Sequence, residues 1–155
     1  MLADQVVSDS FTGFVASTEP RLRQVLSAAY GSEAGREATA DALAYGWEHW
    51  DRVSAMENPA GYLYAVGRDR ARRRKRWRRP VFFPVESDRL PWVEPGLPDA
   101  LSRLPERQRV VVMLLHCNQW TMSEVADVLG ISKSTVQSHA ERGLARLRNR
   151  MGVDQ

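Results

Sequence analysis

Nine basic side chains crowd into residues 61–80: Arg68, Arg70, Arg72, Arg73, Arg74, Lys75, Arg76, Arg78 and Arg79 stand against Asp69 alone. All but one are arginines, whose planar forks match phosphate oxygens better than a lysine ammonium does. A polyanion is the partner this chemistry predicts; a solvated basic helix end is the plainer alternative. A second constellation lies further along. Thr121-Met122-Ser123-Glu124 is a capping box, in which the Thr hydroxyl takes the Glu124 N–H and the Glu side chain reaches back. Ala126, Gly130 and Val136 follow at offsets zero, +4 and +10. A small residue, a sharp-turn glycine and a β-branched residue that packs back into the angle are what two short helices crossing closely require. On the second of these helices Val136, Ala140, Gly143, Leu144 and Leu147 share one side, while Ser134, Gln137, Ser138, Glu141 and Arg142 share the other. Such side chains suit the major groove: Gln can bond adenine, Arg guanine, and Glu can accept from cytosine. Arg146, Arg148 and Arg150 trail behind, where phosphate contact is expected instead.

The elements that must position these groups are all helical. Phe11, Phe14, Val15, Leu22, Val25, Leu26 and Ala29 recur at helical spacing, with a break predicted near Pro20. A second helix is predicted from about Ser32, its N-cap, to Asp51, with Glu33 and Glu37 early, where the dipole favours acids. Ala40, Leu43, Trp47 and Trp50 would form its apolar stripe, which makes both tryptophans core residues. Asn58-Pro59 opens a third helix, with Asn58 as cap and Pro59 at the first helical position, and this helix becomes the basic run. Pro80, Pro84, Pro91, Pro95, Gly96 and Pro98 exclude regular structure between, yet Val81, Phe82, Phe83 and Trp92 make the stretch less polar than a free tether. The later block has apolar faces from Leu101 to Leu115, a break at Pro105, and a capped pair of helices on which Gly130 ends the first, Ile131 plugs the turn and Ser132 caps the second. The predicted fold is all-α: two small helical domains, 10–79 and 99–151, joined by a Pro-rich linker, 80–98, with the helix-turn-helix in the second.

Composition narrows the classes. Hydrophobic residues are 43% and charged residues 26%, ordinary for a globular chain. No apolar run approaches the ~20 residues of a membrane span, so no membrane insertion is expected. The single cysteine cannot form an internal disulfide, which fits a cytoplasmic protein; flanked by Leu114, Leu115 and Trp120, Cys117 reads as a small buried residue. There is no P-loop, no paired-glycine nucleotide fingerprint and no serine elbow. His49, His116 and His139 are scattered, and the adjacent His116-Cys117 lacks metal-ligand spacing. Neither an enzyme nor a cofactor nor a metal site is expected. The net charge of +3 hides an acidic first third: residues 1–60 carry four arginines against nine acids. An acidic block beside a basic one predicts two partners on one chain.

The stretch LSRLPERQRVVVMLLHCNQWTMSEVADVLGISKSTVQSHAERGLARLR closely resembles region four of extracytoplasmic-function sigma factors, in which an LP..QR helix precedes the helix-turn-helix. EATADALAYGWEHWDRV resembles the region-two helix that docks on the polymerase clamp, and NPAGYLYAVGRDRARRRKRWRR the helix that opens and reads the minus-ten element. The resemblance implies core RNA polymerase and promoter DNA as partners, and an anti-sigma factor of the kind that often inhibits members. It implies core docking by Glu37 and Asp41, with Ala40 where members usually carry Gln. It places Asn58, Arg68, Asp69, Arg72, Arg73 and Arg76 at the minus-ten element, with Ser54–Asn58 as the loop that captures an unstacked base. Tyr62, Tyr64 and Trp77 are candidate stacking residues, with burial the alternative for each. It places Ser134, Gln137, Ser138, Glu141, Arg142 and Arg146 at the minus-thirty-five element, where Glu141 either reads cytosine or pairs with Arg142 or Arg146. A helix-turn-helix regulator that does not bind polymerase would leave the first block without a purpose. An RNA-binding protein using Arg68–Arg79 would leave the helix-turn-helix without one.

Overall fold

The computed structural model describes residues 1–74, 82 and 95–152. Every element among them is a helix: α1 (Leu2–Tyr30), α2 (Ser32–Glu48), the single turn α3 (Trp50–Val53), α4 (Pro59–Arg74), α5 (Leu97–Ser102), α6 (Glu106–Val112), α7 (Met122–Leu129) and α8 (Lys133–Arg150). A wide π-turn over Met113–Cys117 extends α6. The all-α expectation holds. The expected linker, apart from Phe82 and residues 95–98, lies outside the described residues, as do Lys75, Arg76, Trp77, Arg78 and Arg79.

Helix α1 departs from expectation at both ends of its first half. It starts at Leu2 and runs through Pro20 unbroken. Proline leaves the carbonyl of the residue four back without its donor. That residue, Ala16, is exposed, as is Pro20, so water can serve the carbonyl. On the opposite side Leu22, Val25, Leu26, Ala28 and Ala29 are buried. Each large side chain buried there contributes about 1.5–3 kcal/mol, enough together to exceed the ~3 kcal/mol a helical proline costs.

Helix α2 turns a different face inward than the predicted stripe. Its buried residues are Ala34, Gly35, Ala38, Thr39, Ala42 and Gly46, and its cap position is Gly31, not Ser32. The small side wins because it lets α2 lie close on α1: a Cβ on Gly35 would stand 2.5 Å from the Ser27 Cα. Ala40 is consequently exposed, and Trp47 is 50% exposed, correcting its assignment to the core. The Trp47 ring lies at the margin, 5.2 Å from that of Phe11. The chain leaves helical geometry at His49, and Trp50, on α3, is buried against Phe14.

The two expected blocks share one buried cluster. It holds Leu22, Val25, Leu26, Val53 and Leu63 from the first together with Val110, Val111, Leu114, Trp120, Val125, Leu129 and Val136 from the second. A smaller cluster of Ala100, Leu101, Leu104, Val112 and Leu147 binds α5, α6 and α8, with Phe82 packed against it. Leu114 and Trp120 take the core positions around the π-turn. Cys117 is therefore exposed, contrary to its expected burial.

Candidate nucleic-acid interface and polymerase face

The helix-turn-helix is assembled by contacts that are nearly all local. Thr121 Oγ1 accepts the Glu124 N–H at 3.1 Å, and Glu124 Oε2 accepts the Thr121 N–H at 2.9 Å, completing the capping box. Gly130 ends α7 in the left-handed region, φ 66° and ψ 37°, which glycine adopts without the strain a side chain would bring. Ser132 Oγ accepts the Thr135 N–H at 3.1 Å and starts α8. Val136, Ala140, Gly143 and Leu147 face inward from α8. Ser134, Gln137, Ser138, Glu141, Arg142 and Arg146 are all exposed, along about 18 Å of helix at 1.5 Å per residue. Glu141 pairs with neither arginine offered as a partner: its Oε1 accepts from Gln137 Nε2 at 3.0 Å. Arg142 has no ion pair among the described residues.

The expected minus-ten residues are spread over two sides of α4. Asn58 caps the helix, its Oδ1 accepting the Gly61 N–H at 3.0 Å. Its Nδ2 reaches out of the first block to the Asp127 carbonyl of α7, at 2.7 Å. Arg68 lies over the Tyr64 ring at 5.7 Å, and Arg72 forks onto Glu106 of α6 at 2.5 Å, which raises its pKa further. Asp69 and Arg73 are exposed and pair with each other at 3.3 Å. Arg76 and Trp77 lie outside the described residues. Tyr64 is only 3% exposed, so burial is its role, and burial pushes its hydroxyl pKa up. Tyr62 is half-buried and its hydroxyl contacts that of Tyr45 at 3.2 Å.

Glu37 and Asp41 do share one face of α2. Arg74 Nη1 sits 2.7 Å from Asp41 Oδ2 and 4.0 Å from Glu37 Oε2. The acidic face assigned to polymerase is thus partly neutralised from the end of α4.

Sequence reasoning missed the residues that join the blocks. Arg109 is 4% exposed. Its Nε donates to the Ala28 carbonyl at 3.1 Å and its Nη2 to that of Ala29 at 2.5 Å, while Nη1 holds the Leu104 carbonyl at 2.7 Å. The Ala28 and Ala29 carbonyls are ones that the end of α1 leaves without helical donors. Burial lowers the guanidinium pKa from the usual arginine value, and the Phe82 ring lies 5.9 Å away. Trp120 Nε1 donates to Gln24 at 2.8 Å, and Arg21 pairs with Glu124 at 2.9 Å while stacking over the Trp120 ring at 4.8 Å. A sequence signal did exist: Arg109 shares a helical face with apolar residues and directly precedes Val110, Val111 and Val112.

With this geometry in hand, comparisons with known proteins agree on one family. Residues 96–147 match the family model "Sigma-70, region 4". The RNA polymerase sigma-E factor of Streptomyces antibioticus is 33% identical over 121 residues, which cover 71% of this chain and 66% of that protein. The ECF RNA polymerase sigma factor SigM of Mycobacterium tuberculosis is 35% identical over 72 residues, 45% of this chain and 36% of that one. The sigma factor RpoE of Bartonella quintana, solved with the anti-sigma factor NepR, superposes with a TM-score of 0.68 at 18% identity, over 94% of this chain and 99% of that one. That last likeness is one of fold. The chain belongs to the sigma-70 family, within its extracytoplasmic-function type. It spans no more than about two thirds of the length of the curated relatives it matches.

Proposed function

We propose that the chain is a sigma factor: it binds core RNA polymerase and directs promoter-specific initiation. In this reading residues 10–79 dock on polymerase through Glu37 and Asp41 and open the minus-ten element with Asn58, Arg68, Asp69, Arg72, Arg73 and Arg76. Residues 99–151 read the minus-thirty-five element with Ser134, Gln137, Ser138, Glu141, Arg142 and Arg146. The observation that carries the reading is the α7–α8 pair, capped at both starts and presenting an exposed polar and basic face on α8 within the region-four match. The acidic surface of α2 supports a protein partner beside the DNA. The protein acts in the cytoplasm by binding and has no catalytic step of its own. An anti-sigma factor is a further partner, by analogy with the RpoE relative solved with NepR.

The test is co-elution on a sizing column with bacterial core RNA polymerase stripped of its housekeeping sigma. Stoichiometric co-elution is expected. A folded chain that stays free of polymerase yet binds duplex DNA would instead be a helix-turn-helix regulator.

A further inference from the structure

Glu141 is an acid on the face of α8 that meets a polyanion in the proposed reading, where a bare carboxylate is repelled by the phosphates. Its helical neighbours offer no cation: at i−4, i−3, i+3 and i+4 stand Gln137, Ser138, Leu144 and Ala145. No ion pair reaches it among the described residues. What does reach it is the Gln137 side chain, whose Nε2 donates to Glu141 Oε1 at 3.0 Å. Both residues are exposed, so the pair is open to a groove.

The bond decides how the Gln137 amide presents itself. An amide has a nitrogen edge with two hydrogens and an oxygen edge with none, and an exposed glutamine can turn over to offer either. A carboxylate only accepts, so Glu141 pairs with the nitrogen edge alone. Gln137 is left with one N–H and its carbonyl oxygen for a base. One donor and one acceptor is the set adenine requires in the major groove, where N7 accepts and the N6 amino group donates. Guanine shows two acceptors there, N7 and O6, and the oxygen of a held amide has nothing to accept from them. An amide released from Glu141 can turn over and present both hydrogens to guanine.

We propose that Glu141 is a positioning residue: it holds the Gln137 amide in the orientation that takes adenine and rejects guanine at one minus-thirty-five base pair, and contacts no base itself. This rests on the sigma-factor reading for the presence of the duplex. In open water a pair at this spacing is weak. Inside a groove, with water displaced, turning the amide over sets the Gln137 oxygen against the Glu141 carboxylate, two acceptors face to face with no donor between them, so the orientation is enforced where the base is read.

The experiment selects duplexes from a pool randomised across the minus-thirty-five region, using the full chain with core polymerase, and then measures affinity for single-base variants of the selected sequence. Gln137→Ala identifies the base pair that Gln137 reads. The unsubstituted chain should prefer adenine over guanine there by about 5- to 100-fold, the range of one bidentate contact. Glu141→Ala should cut that ratio severalfold, mainly through better binding of guanine, and leave the preference at every other base pair as it was. With Gln137→Ala already in place, Glu141→Ala should change no base preference at all. An adenine-to-guanine ratio that Glu141→Ala leaves untouched would overturn the proposal. So would a cytosine preference that Glu141→Ala relaxes in both backgrounds, since Glu141 would then read a base directly. A base other than adenine at the Gln137 position, or no base pair sensitive to Gln137→Ala, overturns it too. If the chain does not co-elute with polymerase, the sigma reading fails, and the same pool bound by the chain alone still decides the part of Glu141.

Discussion

Replacing Gly143 by alanine should destabilise the protein, and the same change should stabilise it once Val112 is alanine. Gly143 lies on the inner face of α8, where a Cβ would stand 2.7 Å from Val112 Cγ2 on α6 and 3.4 Å from Gln108 Cβ. Favourable carbon contacts lie at about 3.5–4.0 Å, so the new methyl overlaps by roughly 1 Å. A valine in a helix has one strongly preferred rotamer, and Val112 is buried. Relief must therefore come from moving α8, at about 1–3 kcal/mol. Alanine returns about 1 kcal/mol of helix propensity over glycine, leaving a net loss of about 1 kcal/mol. Val112→Ala alone should cost about 2 kcal/mol, from two buried methyls at ~0.8 kcal/mol each plus the cavity left behind. In that background the methyl added by Gly143→Ala enters vacated space and the propensity gain stands alone, about 1 kcal/mol of stabilisation. Urea unfolding of the four proteins reads the coupling, expected near ~2 kcal/mol, the difference between the two effects of Gly143→Ala. Additivity within ~0.5 kcal/mol, or the same sign of effect in both backgrounds, would show that Val112 on α6 does not set the position of α8.

Two other predictions concern the same helix pair. Burial, and then the charges of Arg107 and Arg142, push the His139 pKa below its usual 6.5, so protonation is easier in the unfolded chain. Stability should therefore fall as pH drops below about 6.5, and His139→Gln should flatten that limb of a thermal-melt series. The Glu124 carboxyl is pulled the same way by the Thr121 backbone N–H and then by Arg21; its contribution is present above the unfolded carboxyl range and is lost as pH falls through the lowered value, giving a second, more acidic decline that Glu124→Gln should remove. Arg142→Ala should weaken binding to a minus-thirty-five duplex by about 1–3 kcal/mol and relax preference at one base pair. Competition titrations against single-base variants check it, and uniform weakening across all of them would assign Arg142 to phosphate.

What could be read along the chain was whatever is decided within about four residues. The Thr121–Glu124 box, the turn at Gly130 and the Ser132 cap each satisfy backbone groups left open by a helix end, and neighbouring side chains suffice for that. Asn58 with Pro59, and the outward set from Ser134 to Arg146, were legible for the same reason. Helical periodicity did less well where two faces of one helix compete. On α2 the large residues at Trp47 and Leu43 marked a stripe, but closeness to α1 at Gly35 favoured the small side, leaving Ala40 and Trp47 outside. Pro20 is tolerated because the face opposite it is buried, a condition invisible in the residue itself.

By itself, then, the sequence determined the helical class, the caps at Asn58, Thr121 and Ser132, the helix-turn-helix and the family, because those depend on short-range hydrogen bonding and on residue pattern. Only the tertiary structure decided how the two blocks meet. Arg21 finds Glu124 across 103 positions, Arg109 finds Ala28 across 81, and Asn58 finds Asp127 across 69. A charged or polar side chain is equally at home in water, so nothing in its local pattern says whether solvent or a distant carbonyl will satisfy it; the choice is made by the apolar surfaces that bring those groups together.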